Sequence, residues 1–291
     1  MTDARLPERT TIKRRTKKEL AELDDAIVRV VEAEHPIGLR GIYYRVVSAG
    51  AIEKTEAGYK VISRQLKALR RSGRVPYEWV TDGNRSLTGA GTWSSMEQML
   101  QVECKWYRRS LWDNQPNRII ILSEKDAILG TVEPVANRWD VKLGATRGYS
   151  SETFAFEIAS EIRSNSRRGI TTHIFNLGDH DPSGLDLWRD IQEKIITVFA
   201  PDSLVTFKRL GVTPDQITKY NLLTRPTKAS DTRSKGFEGG SVEVDAIPSA
   251  ALRDLVQDAI MNIIDHDLLA ETREIEQQEK IRLQEIIGGV A

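Results

Sequence analysis

Ile119-Ile120-Ile121-Leu122-Ser123-Glu124-Lys125 is an apolar run that ends on a carboxylate, and Ile174-Phe175-Asn176-Leu177-Gly178-Asp179-His180-Asp181-Pro182-Ser183-Gly184 is a second that ends on two. Runs this short and apolar read as strands buried on both faces, as in parallel sheets. In open α/β sheets ligands collect at the carboxyl ends of the strands, which would bring Glu124, Asp179 and Asp181 to one edge. Residues i and i+2 of an extended chain face the same way, so Asp179 and Asp181 are expected to share a direction. Carboxylates gathered at one place repel unless a hard cation joins them. Mg²⁺, with Mn²⁺ as a substitute, is the expected ion, because it takes oxygen ligands and commonly uses one or two carboxylates with waters and a substrate phosphate. A plainer reading stands beside this one. Asp181-Pro182 is also good helix-start chemistry, with Asp as N-cap and Pro at the first helical position.

Outward from these strands the pattern alternates. Strands are expected at 119–123, 140–144, 172–177 and 204–209, with helices at 126–138, 151–163 and 182–199. Such alternation specifies a Rossmann-like, mostly parallel sheet with helices on its faces, assigned to residues 118–291 with C-terminal helices from Pro248 to about Ile287. Val242 to Asp245 reads as a further short strand. The polar loop 224–241, with Lys228, Arg233 and Lys235, reads as a surface excursion or a flexible phosphate-contacting loop.

The N-terminal part has a different rhythm. Residues 1–15 are a basic arm without periodicity, expected to be flexible. Residues 16–95 begin with a capping-box pattern at Thr16 and Glu19, followed by Leu20, Leu23, Ile27, Val30 and Val31 at helical spacing. Pro36 and Gly38 precede a second helix, about Leu39 to Ala49. A third, about Gly58 to Ser72, turns Val61, Ile62, Leu66 and Leu69 inward and ends on Gly73; its other face is Lys60, Ser63, Arg64, Lys67, Arg70 and Arg71. A strand from Val75 to Val80, a turn at Asp82-Gly83 and a Gly/Ser/Thr-rich tip or linker at 84–95 complete the order of a winged helix. Met96 to Leu111 is helical again, within a linker spanning 96–117.

With 291 residues the chain can bury two domains' worth of core. Its 42 basic and 42 acidic residues cancel overall but not locally. Residues 40–75 hold nine Lys/Arg against Glu53 and Glu56, whereas 239–285 hold eleven Asp/Glu against four Lys/Arg, so only the first end suits a polyanion. Cys104 is the single cysteine, which excludes an intramolecular disulfide and a Cys-rich zinc site and fits a reducing cytosol. No run approaches the ~18 apolar residues of a membrane span, so a soluble, cytoplasmic, nucleoid-associated protein is expected.

On a helical wheel Leu39, Ile42, Tyr43, Val46 and Val47 share one apolar stripe, and Tyr44 falls outside its centre. Tyr43 is therefore expected in the core and Tyr44 to be available, with Arg40 one helical turn away. A guanidinium beside a phenol favours the phenolate and can hold a phosphate, as a nucleophilic tyrosine would need. An exposed Tyr beside an Arg on a basic helix also serves as a simple DNA-backbone contact.

Arg40-Gly41-Ile42-Tyr43-Tyr44 resembles the Arg-Asp-Ile-Tyr-Tyr signature in the winged helix of the topoisomerase VI A subunit and the related meiotic double-strand-break protein. Glu124 and Asp179-His180-Asp181-Pro182-Ser183-Gly184 resemble that family's Toprim domain, and Val244-Asp245-Ala246-Ile247-Pro248 its closing strand and helix start. The resemblance spans roughly residues 16 to 265. It implies an enzyme that breaks double-stranded DNA, in which Tyr44 attacks a backbone phosphate to form a 5′-phosphotyrosyl link. The metal-binding acids correspond to Glu124, Asp179 and Asp181 with Mg²⁺. It also implies a homodimer in which one subunit's tyrosine meets the other's metal. Gly41 stands where the signature has an acid, so the surroundings of Arg40 and Tyr44 differ. No Gly-Lys-Ser/Thr loop is present, so an ATPase would be a separate subunit. Small A-like proteins of phages and plasmids are similar in architecture, as is, more loosely, the Toprim nuclease of the Wadjet plasmid-defence system.

Around this core several residues carry alternative readings. A nuclease would use the same acids to activate water, with Tyr44 only touching the backbone, and a non-catalytic DNA-binding protein would keep only the basic helix. Lys125 is expected to touch the scissile phosphate or to be a first-turn surface lysine. His180 is expected to pack or hydrogen-bond. Arg147 is a candidate phosphate contact, and Lys60, Arg64, Lys67, Arg70 and Arg71 are candidate DNA-backbone contacts.

Overall fold

The computed structural model describes residues 15–81, 91–226, 237 and 240–290. The basic arm (apart from Arg15), the turn at Asp82-Gly83, most of the 84–95 tip, and Lys228, Arg233 and Lys235 lie outside the described residues.

At the N-terminal end, α1 (Lys17–Glu34) starts on the expected capping box between Thr16 and Glu19. A two-residue strand β1 (Ile37–Gly38) leads into α2 (Leu39–Ser48), and α3 (Glu56–Arg71) is capped by the Thr55 hydroxyl. Ile27, Val31, Ile42, Val46, Ile62, Leu66 and Leu69 close a separate small core. The expected strand at 75–80 is mostly absent. Val75 is buried, Tyr77–Trp79 is a 3₁₀ turn, and only β2 (Val80–Thr81) is extended, pairing in parallel with β1. Pro76 accounts for part of this, because it has no N–H to give to a ladder. The helix α4 (Met96–Trp106) follows.

The larger part is α/β. Its strands are β3 (Asn117–Ser123), β4 (Lys142–Ala145), β5 (Thr171–Leu177) and β6 (Val205–Gly211), separated by α5 (Asp126–Arg138), α6 (Glu152–Arg167) and α7 (Pro182–Glu193). All pairs are parallel in the order β4-β3-β5-β6, a Rossmann-like sheet with β3 and β5 at its centre. The apolar runs follow from cover on both faces: Ile119 and Ile121 enter one core with Val132 and Val256, while Ile120 and Leu122 enter another with Ile158 and Ile162. The helix expected to run to residue 199 changes at Lys194 into a π turn ending at Phe199. A short helix, α8 (Pro214–Lys219), had no expected counterpart. The expected strand at 242–245 is instead a single antiparallel bridge between Val242 and His180 followed by a 3₁₀ turn at Val244–Ala246. Then α9 (Ser249–Met261) and α10 (His266–Val290) complete the described chain. Among the described residues no helix is long and apolar enough to cross a membrane.

Three contacts seat the N-terminal helices against the α/β part. Glu34 accepts from the Ser249 N–H at 2.9 Å, Arg253 donates to the Glu34 and Pro36 carbonyls, and Arg45 donates to the Ala246 carbonyl. As a result α2 lies directly over the 3₁₀ turn that follows Glu243.

Candidate functional site

In register, Ser123 of β3 lies beside Leu177 of β5, so Glu124 and Gly178 leave the sheet side by side at its carboxyl edge. Arg209 of β6 then shapes the loop after β5. Its guanidinium donates to the Asn176 side chain at 3.0 Å and to the carbonyls of Gly178, at 2.7 Å, and Asp179. Asp181 N-caps α7, accepting from the Gly184 N–H at 2.6 Å. This is the plainer reading of Asp181-Pro182, and Pro182 occupies the first turn. Gly184 has a separate constraint: a Cβ there would stand 2.5 Å from the Asp179 carbonyl oxygen. Gly184→Ala should therefore push the Asp179 turn out of place and cost about 1–3 kcal/mol in urea unfolding, as overpacking does; an unchanged midpoint would mean that the loop is slack.

Asp179 does not share Asp181's partner. Its Oδ1 accepts from the Val244 N–H at 2.8 Å and from Lys125 Nζ at 2.9 Å. Lys125 is thus neither a surface lysine nor an open phosphate contact. Its side chain is 16% exposed, with Asp245 at 2.7 Å and Glu243 at 3.4 Å as further partners. Burial alone would lower the ammonium's pKa, but Asp245, Asp179 and Glu243 together hold it well above its ordinary value. Of these three carboxylates Glu243 also pairs with Arg40 and Arg225, whereas Asp179 and Asp245 share the Lys125 ammonium. Burial pushes the Asp179 carboxyl up, and Lys125 and the Val244 N–H offset this only in part. Glu124 is also pushed up, first by burial and then by Asp179, with Asp181 adding to the effect.

Glu124 thus lies within electrostatic reach of both Asp179 and Asp181. Their oxygens are the donor type that Mg²⁺ prefers, and among the described residues Glu124 makes no hydrogen bond or ion pair. In donor chemistry they fit the ion. The side chains are not gathered into a closed ligand set: among the described residues no three His, Cys, Asp or Glu side chains are placed to hold a metal. The Lys125 ammonium stands amid the acids instead.

Tyr44 departs from expectation. Like Tyr43 it is only 4% exposed, because the segments carrying Arg225 and Glu243 cover the side of α2 that a single-helix wheel leaves open. Its hydroxyl accepts from Arg225 at 3.1 Å, and the same guanidinium holds Glu243 at 2.9 Å. Arg40 turns to Glu243, at 3.3 Å. Burial pushes the Tyr44 phenol well above its ordinary pKa, and Glu243 adds to this more than Arg225 relieves it. Glu243 itself is held below the usual carboxylate range: Lys125, Tyr44, Arg40 and Arg225 outweigh the opposing effect of burial. A cleft of about 330 Å³ opens beside these groups, lined also by Lys54, Thr55 and Tyr59.

The remaining candidates divide in two. Arg64, Lys67 and Arg71 are exposed on α3 and make no ion pair among the described residues. Lys60 pairs with Glu56 at 2.7 Å, Arg70 lies over the Tyr77 ring at 4.3 Å, and Arg147 is committed to Asp126 at 2.9 Å. His180 pairs through its backbone with Val242, and its ring lies 5.1 Å from that of Phe237. Sequence reasoning missed Arg209, Arg225, Glu243 and Asp245 as parts of the site. The alternation Val242-Glu243-Val244-Asp245 was the available signal, since it turns two acids one way beside an apolar pair. No family model matches the chain, and no curated protein matches it.

Proposed function

We propose that the chain is a DNA-cleaving enzyme of the topoisomerase VI A-like class, a winged helix over residues 16–95 joined to a Toprim domain over 118–291. One observation carries this reading: Arg225 joins the Tyr44 hydroxyl, at 3.1 Å, to Glu243, at 2.9 Å, and Glu243 in turn meets Lys125 at 3.4 Å, so the tyrosine and the acidic sheet edge form one continuous polar site. The exposed Arg64, Lys67 and Arg71 suit the phosphates of duplex DNA. Glu124 and Asp181, with the second oxygen of Asp179, would hold Mg²⁺, which when bound neutralises phosphate charge. In the step assigned to Tyr44 its oxygen bonds to phosphorus, the bond to the 3′-oxygen breaks, and the phenolic proton ends on that leaving oxygen. Two copies would cut both strands, with any ATPase supplied by another subunit.

The test is the product. Wild-type protein with Mg²⁺ and supercoiled plasmid should yield a covalent protein–DNA adduct that Tyr44→Phe abolishes. The substitution should cost only about 1 kcal/mol of stability, because Arg225 and Glu243 keep each other as partners at 2.9 Å. Free 5′-phosphate ends from an active Tyr44→Phe would instead establish a water-using nuclease, the reading favoured by the burial of Tyr44. DNA binding without any cleavage would reduce the chain to a binding protein.

A further inference from the structure

Glu243 is held by cations from three parts of the chain. Its Oε2 meets Arg40 of α2 at 3.3 Å and Lys125 at 3.4 Å, and its Oε1 meets Arg225 at 2.9 Å. Arg225 also reaches the Tyr44 hydroxyl, so the carboxylate, two guanidiniums and the phenol form one cluster. A fourth cation stands by without an acid. Lys54 Nζ is 5.4 Å from the centre of the Tyr44 ring, donates only to the Leu223 carbonyl at 3.3 Å, and has no carboxylate within ion-pair distance among the described residues. The adjoining cleft, about 330 Å³, is of a size that accepts a small ligand.

We propose that this seam is a phosphate subsite whose place is held by the Glu243 carboxylate, an internal stand-in that a phosphate displaces. Guanidinium pairs recognise carboxylate and phosphate by the same forked geometry, but a phosphate brings more oxygens and occupies more of the cleft than one carboxylate does. It would also supply the anion that Lys54 lacks. The phosphate belongs to a nucleic acid backbone, or it is a terminal or free phosphate; the chemistry at the seam is shared. The DNA source rests on the function proposed above, whereas the phosphate chemistry does not.

The experiment uses the full chain in EDTA, where Mg²⁺-dependent cleavage cannot contribute. Three probes are titrated: a labelled duplex with 5′-hydroxyl ends, the same duplex with 5′-phosphates, and inorganic phosphate. Glu243→Gln, which keeps the shape and removes the competing charge, should tighten at least one probe on the order of tenfold. Lys54→Gln should weaken the same probe severalfold. A gain shared by both duplexes assigns a backbone phosphate, and a gain confined to the phosphorylated duplex or to inorganic phosphate assigns a terminal or free one. The proposal is overturned if Glu243→Gln melts like the wild type yet binds no probe more tightly. Should that variant fail to fold, Lys54→Gln decides, since it breaks no ion pair: unchanged affinity for every probe overturns the subsite. Adduct formation by wild type without a Glu243→Gln gain would sink the subsite alone. A gain without any adduct would sink the tyrosine chemistry alone.

Discussion

Lys125→Met is expected to lower stability by about 3–5 kcal/mol at neutral pH, the usual cost of stripping one partner from a buried ion pair. The ammonium lies within 2.9 Å of Asp179 and 2.7 Å of Asp245, with Glu243 at 3.4 Å, and all of these groups are largely out of water. Methionine fills most of the volume, so the loss is electrostatic and not a cavity effect. Its pH dependence has a definite sign. Burial already raises the folded Asp179 carboxyl above its unfolded value, and removing the ammonium takes away the main group that offsets this. The variant is then nearest to wild type in acid, where both states hold their protons, and falls away as pH rises through the carboxylate range. A divalent cation should replace the missing charge, so millimolar Mg²⁺ should raise the variant's melting temperature well beyond any effect on wild type. Thermal melts in EDTA and in Mg²⁺ across pH decide the matter. A loss under about 1 kcal/mol, with no response to Mg²⁺, would mean that Lys125 is not the internal counter-ion of the acidic edge.

How far the residues spoke in advance depends on how local their physics is. The sheet was legible because Ile119 to Ser123 and Thr172 to Leu177 are buried on both faces, and a continuous apolar run has few other uses at that length. The caps at Thr16 and Asp181 were legible for a similar reason, since each bond spans three residues. Tyr44 was misjudged because its cover comes from Arg225 and Glu243, which a wheel drawn on α2 alone cannot contain. Lys125 was misjudged likewise: its nearest partners lie 54 and 120 residues away. The strand expected at Val242 to Asp245 failed on a smaller point. Period-two alternation records which way side chains turn, and a bridge followed by a 3₁₀ turn can satisfy it without a ladder. Gly41 is informative in retrospect. A Cβ there would press to 2.9 Å of Ile37, so the small residue meets a packing demand between β1 and α2 that an acid in its place would not.

Glu124→Gln is expected to do two opposite things: reduce Mg²⁺-dependent DNA cleavage on the order of a hundredfold or more, and raise the melting temperature at neutral pH. The loss follows from removing a proposed metal oxygen at the end of β3. The gain follows from the carboxyl's surroundings, since burial, Asp179 and Asp181 all push it up from its ordinary 4.5 and Lys125 only partly counters them. Such a group is easier to ionise in the unfolded chain than in the folded one. In acid below 4.5 both states are protonated, glutamine resembles the protonated acid, and the variant and wild type should melt alike. As pH rises the unfolded state ionises first and draws wild type toward unfolding, so the variant's advantage opens there and levels off once the folded carboxyl has also ionised. Water on the open side of the group screens the effect, which keeps the gain below about 1 kcal/mol. Functional carboxylates often carry this signature, a residue that costs stability where it stands and is kept for what it binds. Paired melts and cleavage assays from acid to neutral pH test both halves. A variant that melts below wild type at pH 7 would show that Glu124 is a stabilising structural acid, and the metal role assigned to it would lose its physical basis.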